Sequence, residues 1–503
     1  MTIDTAMHSL INSEIFRAYD IRGIVDHSLT EEKVFLIGKA VGTKTLLNAD
    51  DTNTQPRQVV VARDGRLSGP RLLNKLKQGI VATGCEVIDL GLVPTPLLYF
   101  AANVWGVSSA VMLTGSHNPP DYNGLKIILN NRAIHTQEIL ELRDLIINNQ
   151  LITANNPGDQ PSKILDQDII EQYINYVANN IKLQKNQLND AAAKKIKVVI
   201  DCGNGAAGVV AEKLLTKLGA ECICLYCDVD GNFPNHHPDP SDPKNLCELQ
   251  QKVLDTQADF GVAFDGDGDR LGIVDNQANI IWPDRYLMLF IKDILTNYHA
   301  SQDNSRNDQP KKPVIIYDIK STNNLKNIIS TAGGMPLIWK TGHSLIKAKM
   351  KEQQAVLAGE MSGHVFFNDR WFGFDDGLYT AARLLELVLN SEQNLQQMCE
   401  KLPENQSTPE LIIKSSEGNK QQIVAKLIEQ VGKLIAHNKT AKITTIDGLR
   451  VDFVDSWGLV RFSNTTPNLI ARFEGKNLSS LNKIKNFFKY QLLSIDPDLV
   501  IPF

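Results

Sequence analysis

Cysteine is scarce in this sequence, seven in 503 residues, and the number is odd. That excludes a small disulfide scaffold and suits a reducing compartment. Long apolar runs are missing as well: no stretch approaches the roughly 20 apolar residues of a membrane helix. The first residues, MTIDTAMHSLINSEIFRAYD, lack a basic segment followed by an apolar one, so no secretory signal is read there. A cytoplasmic location without a membrane partner is the expectation. There is no basic excess either, with 52 Lys and Arg against 57 Asp and Glu and a formal net charge of -5. A non-specific nucleic-acid binder needs the opposite balance, so only a local basic pocket is left open. The rest is ordinary for a globular chain, 43% hydrophobic and 22% charged. The length corresponds to about three or four domains.

One pattern occurs three times, at residues 59–91, 198–228 and 314–342. Each copy opens with a β-branched run and ends it on an Asp: Asp64, Asp201 and Asp318. A polar turn, a helical-period segment, a Gly stop and a second apolar run follow. This predicts three strand–helix–strand units, hence parallel pairing and three similar α/β domains. Residues 446–475 read as short strands separated by turns, with a helical stretch before them, which predicts a smaller C-terminal α+β domain. Residues 296–313, TNYHASQDNSRNDQPKKP, are polar and aperiodic and read as an exposed loop.

Four segments carry chemistry. In DFGVAFDGDGDRLGIV, alternating glycines bring Asp265, Asp267 and Asp269 together before Arg270. Three like charges repel unless a cation sits among them, and oxygen ligands alone suit a hard ion such as Mg²⁺. An EF-hand is excluded, because its sixth and twelfth positions would be Arg270 and Asn276. A solvated acidic turn is the plainer alternative. In TGSHNPPDYNG, two prolines stiffen an exposed loop and Gly115 permits an unusual backbone. The Ser116 hydroxyl is then presented as a covalent phosphoryl carrier requires; a turn with Ser and Asn bonding the backbone is the alternative. In GEMSGH, Glu360, Ser362 and His364 stand at spacing two, one side of an extended segment, and suit a polyol; a solvent-facing edge strand would look alike. In VRFSNTTPN, Arg461, Ser463, Asn464, Thr465 and Thr466 form a phosphate cradle after a strand, or a polar hairpin turn.

Two further patterns invite other functions. Residues 203–208 match a dinucleotide fingerprint, with Asp228 beyond, but the sister turns DGRLSG and DIKSTN lack the glycines. Tight strand–helix packing explains them as well. Cys222, Cys224 and Cys227 lie near His236 and His237, and Cys224-Leu-Tyr-Cys227 has zinc-like spacing without a second pair. Cysteines in an apolar strand are more often core residues.

Taken in order, FRAYDIRG, TGSHNPPDYNG, GNFPNHHPDP, DGDGDR, TGHSLIK, GEMSGH, WFGFDDG and RFSNTTP resemble the α-D-phosphohexomutase superfamily. The branch they are most similar to is the bacterial phosphomannomutase/phosphoglucomutase group, and the motifs span almost the whole chain. The resemblance implies a heart-shaped four-domain α/β fold, three mixed α/β domains and a C-terminal α+β domain. Their expected extents are 1–160 with the phosphoserine loop, 161–279 with the metal loop, 280–403 with the sugar loop and 404–503 with the phosphate loop.

The implied activity is interconversion of 1-phospho and 6-phospho forms of mannose and glucose. It would run through phosphoserine at Ser116 and a hexose 1,6-bisphosphate, which is also the activator. Mg²⁺ would be held by Ser116, Asp265, Asp267 and Asp269. By matched position, Tyr19 and Arg22 would reach the substrate, and His117 and Lys126 would flank the phosphoserine. Arg270 would stabilise charge, Lys320 and His343 would contact the sugar phosphate, and His364 would be the general base. Hexose phosphates would be the partners of a monomer. Competing readings are phosphoglucosamine mutase, a silent sugar-phosphate binder and a nicotinamide-dependent dehydrogenase.

Overall fold

The computed structural model describes residues 13–48, 57–154, 163–183, 195–302, 312–415, 417–463 and 468–503. The chain forms two compact units. One comprises Met1–Ile294 with His343–Cys399, the other Leu295–Gly342 with Glu400–Phe503.

In the first unit, the β-branched run Val59–Val61 becomes the buried interior of strand Gln58–Arg63. This strand pairs in parallel with Glu86–Leu92 and with Ala110–Leu113. Helix Gly69–Val81 links the first two, with Pro70 in its first turn, where a missing N–H costs nothing. Strands Tyr122–Leu129 and Ile21–Ile24 extend the sheet antiparallel on one side, and Ile164–Asp166 extends it parallel on the other. The sheet is therefore mixed, and a strand buried on both faces reads as a continuous apolar run.

The second repeat builds a sheet in the same way. Lys197–Asp201 pairs in parallel with Glu221–Leu225 and with Phe260–Phe264. Leu271–Asp275 then runs antiparallel to Phe260–Phe264, and Ile280–Ile281 antiparallel to Leu271–Asp275. The Gly-rich turn at 203–208 is packing: a Cβ on Gly208 would lie 1.9 Å from the Cys227 carbonyl oxygen. Hairpin Leu357–Gly359 with Val365–Phe367 also belongs to the first unit, as does helix Gly377–Leu389. Trp371 is fixed beside them, stacked on Tyr379 at 4.2 Å and on Phe100 at 5.8 Å between ring centres.

The second unit holds the third repeat, strands Val314–Asp318 and Met335–Trp339 in parallel around helix Asn324–Thr331. It also holds the antiparallel C-terminal sheet, with helices Glu417–Ile435 and Leu478–Ile495 against it. Asn477 and Ser480 form a reciprocal cap at the start of the last helix.

One expectation needs correction. The polar run beginning at Thr296 is not loop at its start, because helix Pro283–Gln302 continues through it. The buried positions Leu287, Phe290, Ile291 and Ile294 set the helical period, and the polar end prolongs it. Residues 303–311 of that run lie outside the described residues. No helix among the described residues is long and apolar enough to cross a membrane.

Candidate active site

Ser116 lies in the loop between strands Ala110–Leu113 and Tyr122–Leu129. Asp64, the terminal Asp of the first repeat, organises it. Its Oδ2 accepts from Thr114 Oγ1 at 2.7 Å and from Gly115 N at 3.1 Å. Ser116 N donates to Thr114 Oγ1 at 2.7 Å. Arg66, fully buried, donates to three loop carbonyls, Ser116 at 2.7 Å, Asn118 at 2.6 Å and Pro119 at 2.5 Å, and to that of Tyr122 at the start of the next strand at 2.9 Å.

Two expectations change here. Ser116 itself is not exposed, being 3% accessible, although Pro119 and Pro120 further along the loop are. The left-handed backbone falls on Ser116 itself, at φ 47°. Gly115 is required for a different reason: a Cβ there would lie 2.3 Å from the Arg66 guanidinium carbon. Stiffness thus comes from Arg66 and Asp64 as much as from the prolines. Sequence reasoning missed Arg66, although the DGRLSG turn of the repeat was its signal.

The strand Phe260–Phe264 delivers Asp265, Asp267 and Asp269, all without solvent exposure. One carboxylate oxygen from each lies within 4.8 Å of the others. Ser116 Oγ donates to Asp265 Oδ2 at 3.0 Å. Thr95 Oγ1 donates to Asp267 Oδ2 at 2.5 Å. Lys126 Nζ bonds the same oxygen at 2.7 Å and also Asp269 Oδ2. Asp267 Oδ1, buried, has no hydrogen-bond partner among the described residues. Such a set, all oxygen and with a hydroxyl beside it, fits a hard divalent cation.

The charges are strongly coupled. Burial, then repulsion from Asp267 and Asp269, pushes the Asp265 carboxyl well above the usual range. For Asp269 burial acts upward too, but Lys126 and His364 outweigh it and hold it well below. Asp267 is also held low: burial and Asp269 oppose ionisation, and Lys126 and Thr95 prevail. Burial disfavours the Lys126 charge, yet Asp267 and Asp269 raise its pKa well above normal.

Glu360, Ser362 and His364 meet, though not by strand alternation. Glu360 N donates to His364 O at 2.9 Å and Gly363 N to Glu360 O at 3.0 Å, so the segment is a tight turn between two strands. The turn itself folds the side chains together. His364 Nδ1 lies 3.1 Å from Glu360 Oε2 and 3.0 Å from Ser362 Oγ. His364 Nε2 lies 3.2 Å from Asp269 Oδ1. Burial disfavours its charge, but Asp269 and Glu360 raise its pKa to about 9. In this arrangement His364 carries a proton at neutral pH, and a base role requires the Asp269 charge to be engaged elsewhere.

The other expected residues of this unit surround the same groups. Arg22 donates to Gly115 O at 2.7 Å and bonds Asn118 and Asp20. His117 Nδ1 lies 3.2 Å from Ser116 Oγ; burial and then Arg270 push its pKa well down. Arg270 Nε lies 3.4 Å from His364 Nε2 and 3.8 Å from Asp265 Oδ2. His343 opens helix His343–Gln353, its Nδ1 3.5 Å from Asp375 Oδ2. Asp375, which also accepts from Lys347 at 2.7 Å, was not singled out from the sequence, though WFGFDDG contains it. Tyr19 is half-buried just before strand Ile21–Ile24.

Three expected residues belong to the second unit. Lys320 is bonded to Glu410 at 2.5 Å, and Arg461 Nε donates to Asp447 at 3.0 Å. Ser463 O accepts from Lys420 at 3.0 Å. Asn464, Thr465 and Thr466 lie outside the described residues.

Comparison with known proteins agrees along the chain. Models of the phosphoglucomutase/phosphomannomutase family match in sequence: alpha/beta/alpha domain I over residues 13–151, domain II over 171–278, domain III over 282–406 and the C-terminal domain over 413–489. A phosphomannomutase/phosphoglucomutase of Pseudomonas aeruginosa is 48% identical over 501 residues, 100% of each chain. A phosphoglucomutase of Neisseria meningitidis is 44% identical over 492 residues, covering 98% of this chain and 99% of its own. The crystal structure of a phosphoglucomutase/phosphomannomutase family protein from Burkholderia thailandensis superposes with a TM-score of 0.85 at 43% identity, covering 98% of this chain and 100% of that one. With four successive domains matched and relatives similar end to end, this chain belongs to the phosphoglucomutase/phosphomannomutase family of phosphohexomutases.

Proposed function

We propose that the chain interconverts the 1-phosphates and 6-phosphates of glucose and mannose, with Ser116 as the phosphoryl carrier. The observation that carries this reading is the placement of Ser116 Oγ 3.0 Å from Asp265 Oδ2, at the mouth of a three-carboxylate loop. Mg²⁺ held by Asp265, Asp267, Asp269 and the Ser116 oxygen would supply charge neutralisation at the transferring phosphoryl group. The chain's own residues divide the remaining work. Arg66 and Asp64 hold the Ser116 loop rigid, so the oxygen needs no reorganisation during transfer. Lys126 and Arg270 bring cationic charge to the side of Ser116 where phosphoryl charge develops.

Phosphoserine at 116 would pass its phosphoryl group to the free hydroxyl of a hexose phosphate, giving the 1,6-bisphosphate, and take back the other phosphate. His364 would remove the sugar hydroxyl proton, oriented by Glu360 and Ser362, which also suit the sugar hydroxyls. Tyr19, His117 and His343 would contact the substrate. For the second unit we propose phosphate binding by Lys320, Arg461 and Ser463, with 464–466 completing the loop. The extents 1–160, 161–279, 280–403 and 404–503 are proposed as the domains. A cytoplasmic monomer is proposed.

The glucose and mannose assignment is supported by the names of the relatives at 44–48% identity. The N-acetylglucosamine-phosphate mutases found among solved structures are only 12–14% identical and share the fold alone. The test is a set of mutase assays on glucose 1-phosphate, mannose 1-phosphate and glucosamine 1-phosphate, with and without a hexose 1,6-bisphosphate. Turnover of the first two, stimulated by the bisphosphate, is expected. A dominant glucosamine phosphate activity overturns the sugar assignment, and no interconversion of any sugar overturns the reading itself.

A further inference from the structure

The mutase chemistry leaves one cluster unused, the cysteines of the second repeat. Cys224-Leu-Tyr-Cys227 has metal-like spacing, but no cysteine belongs to a potential metal group among the described residues. Thiols meet there instead, Cys227 lying against Cys202 and also bonding Cys224. Strand Lys197–Asp201 ends with Asp201 opposite Leu225, and Cys202 N donates to Leu225 O at 3.1 Å. Tyr226 then adopts left-handed backbone, φ 50°, which turns the chain back. Cys227 thereby comes over Cys202, with 3.4 Å between the two Sγ atoms. Cys202 is buried and Cys227 only half-buried, so Cys227 is the more accessible residue of the pair.

We propose that Cys227 and Cys202 form a peroxide-oxidisable dithiol, a reversible modification site that acts on the adjacent metal loop. The Cys227 thiolate attacks one oxygen of hydrogen peroxide; the O–O bond breaks, leaving a sulfenic acid and hydroxide. The Cys202 sulfur then attacks the Cys227 sulfur, and the sulfenic oxygen leaves as water with the Cys202 proton. The two thiols lose two electrons and the peroxide gains them. Cys227 is the attacking thiol because it is the less buried of the two, Cys202 having no solvent exposure.

The coupling is local. A disulfide needs the sulfurs at about 2.05 Å, well inside their present separation. The turn after Cys202 has little slack. Asn204 N donates to Tyr226 O at 2.8 Å and Asn204 Nδ2 to Asp228 O at 2.8 Å. Gly208 already rests on the Cys227 carbonyl. On its other side the turn donates from Ala206 N to Gly266 O at 3.0 Å, between Asp265 and Asp267. Contraction at the sulfurs therefore displaces the metal loop. The sister repeats have Gly65 and Ile319 at the position of Cys202, so this thiol is peculiar to the second repeat.

The test uses the full chain treated with hydrogen peroxide, digested without reduction and mapped by mass spectrometry. A peptide pair joined through Cys202 and Cys227, lighter by two hydrogens, is expected. Mutase turnover should fall on the order of tenfold and return with dithiothreitol. Cys202→Ser and Cys227→Ser should each keep resting turnover and lose the cross-link and the peroxide sensitivity. No cross-link, or one joining Cys224 to Cys227, overturns the site. A Cys202–Cys227 cross-link with unchanged turnover overturns the coupling. Because the cross-link is read by mass, its outcome is independent of which sugar the enzyme turns over.

Discussion

Lys126 Nζ bridges two carboxylates of one loop, Asp267 Oδ2 at 2.7 Å and Asp269 Oδ2. One ammonium thus offsets part of the repulsion within the loop, that between Asp267 and Asp269. Lys126→Met should leave two buried carboxylates without it, a loss of about 3–5 kcal/mol for a broken buried pair. Added Mg²⁺ should restore part of that stability, because a cation can replace the lost charge. Thermal melts with and without Mg²⁺ check this; an equal loss in both conditions would remove Lys126 from the charge balance of the loop.

Ser116→Ala removes the proposed carrier oxygen. The loop should persist, because Arg66 bonds its carbonyls and not the hydroxyl. Turnover should drop by about 10³-fold or more, the scale of a lost nucleophile, with the melting temperature little changed. Near-normal turnover would refute the assignment.

Chelation should abolish turnover and Mg²⁺ restore it. Asp267→Asn keeps the side chain's shape but removes a charged ligand, so calorimetry should report weaker Mg²⁺ binding. Full activity in excess chelator would take the Asp265 loop out of the mechanism.

Glucose and mannose differ at C2, whereas Glu360 and Ser362 are proposed to hold O3 and O4. A half-turn of the bisphosphate roughly exchanges O3 and O4, so one pair of residues serves both orientations. Turnover efficiencies for the two sugars should agree within about tenfold, or ~1.4 kcal/mol. Ratios measured in parallel assays decide this, and a hundredfold bias would mean that C2 is read directly.

Asp376 caps helix Gly377–Leu389, accepting from Tyr379 N at 2.8 Å, and it also accepts from Tyr173 Oη at 2.8 Å. Burial pushes its carboxyl up to about 7. A raised carboxyl pKa means that the folded state binds the proton more tightly. Its stabilising contribution is full below about pH 4 and is lost as pH rises to about 7, on the order of 4 kcal/mol at most. Asp376→Asn keeps the cap but not the titration, so its urea midpoint should fall less than the parent's between pH 5 and 8. Parallel curves would refute the linkage.

The repeats were legible because strand, turn and helix each leave a local signature. Val59–Val61 is a β-branched run, Pro70 starts a helix, and Gly84 and Gly219 end two of them. The three carboxylates were legible because they lie within five residues. Arg66 was not, because its four acceptors lie some fifty residues away and only the folded sheet brings them to it. The turn at Glu360 was misread as extended, since spacing of two is shared by strands and by tight turns. The burial of Ser116 was missed for the same reason as Arg66: it depends on contacts distant in sequence.

The division of the chain into two discontinuous units has a consequence for synthesis. The residues gathered around Ser116 run from Arg22 to Asp375, while 295–342 depart to build the other unit in between. No nascent chain ending before Asp375 holds the full set, however well its first sheets have folded. A product that ends before Glu360 therefore presents the Ser116 loop without Glu360 and His364 beside the Asp269 carboxylate. On the proposed function, the side chains that would accompany Ser116 in phosphoryl transfer are all present only once the chain has passed Asp375.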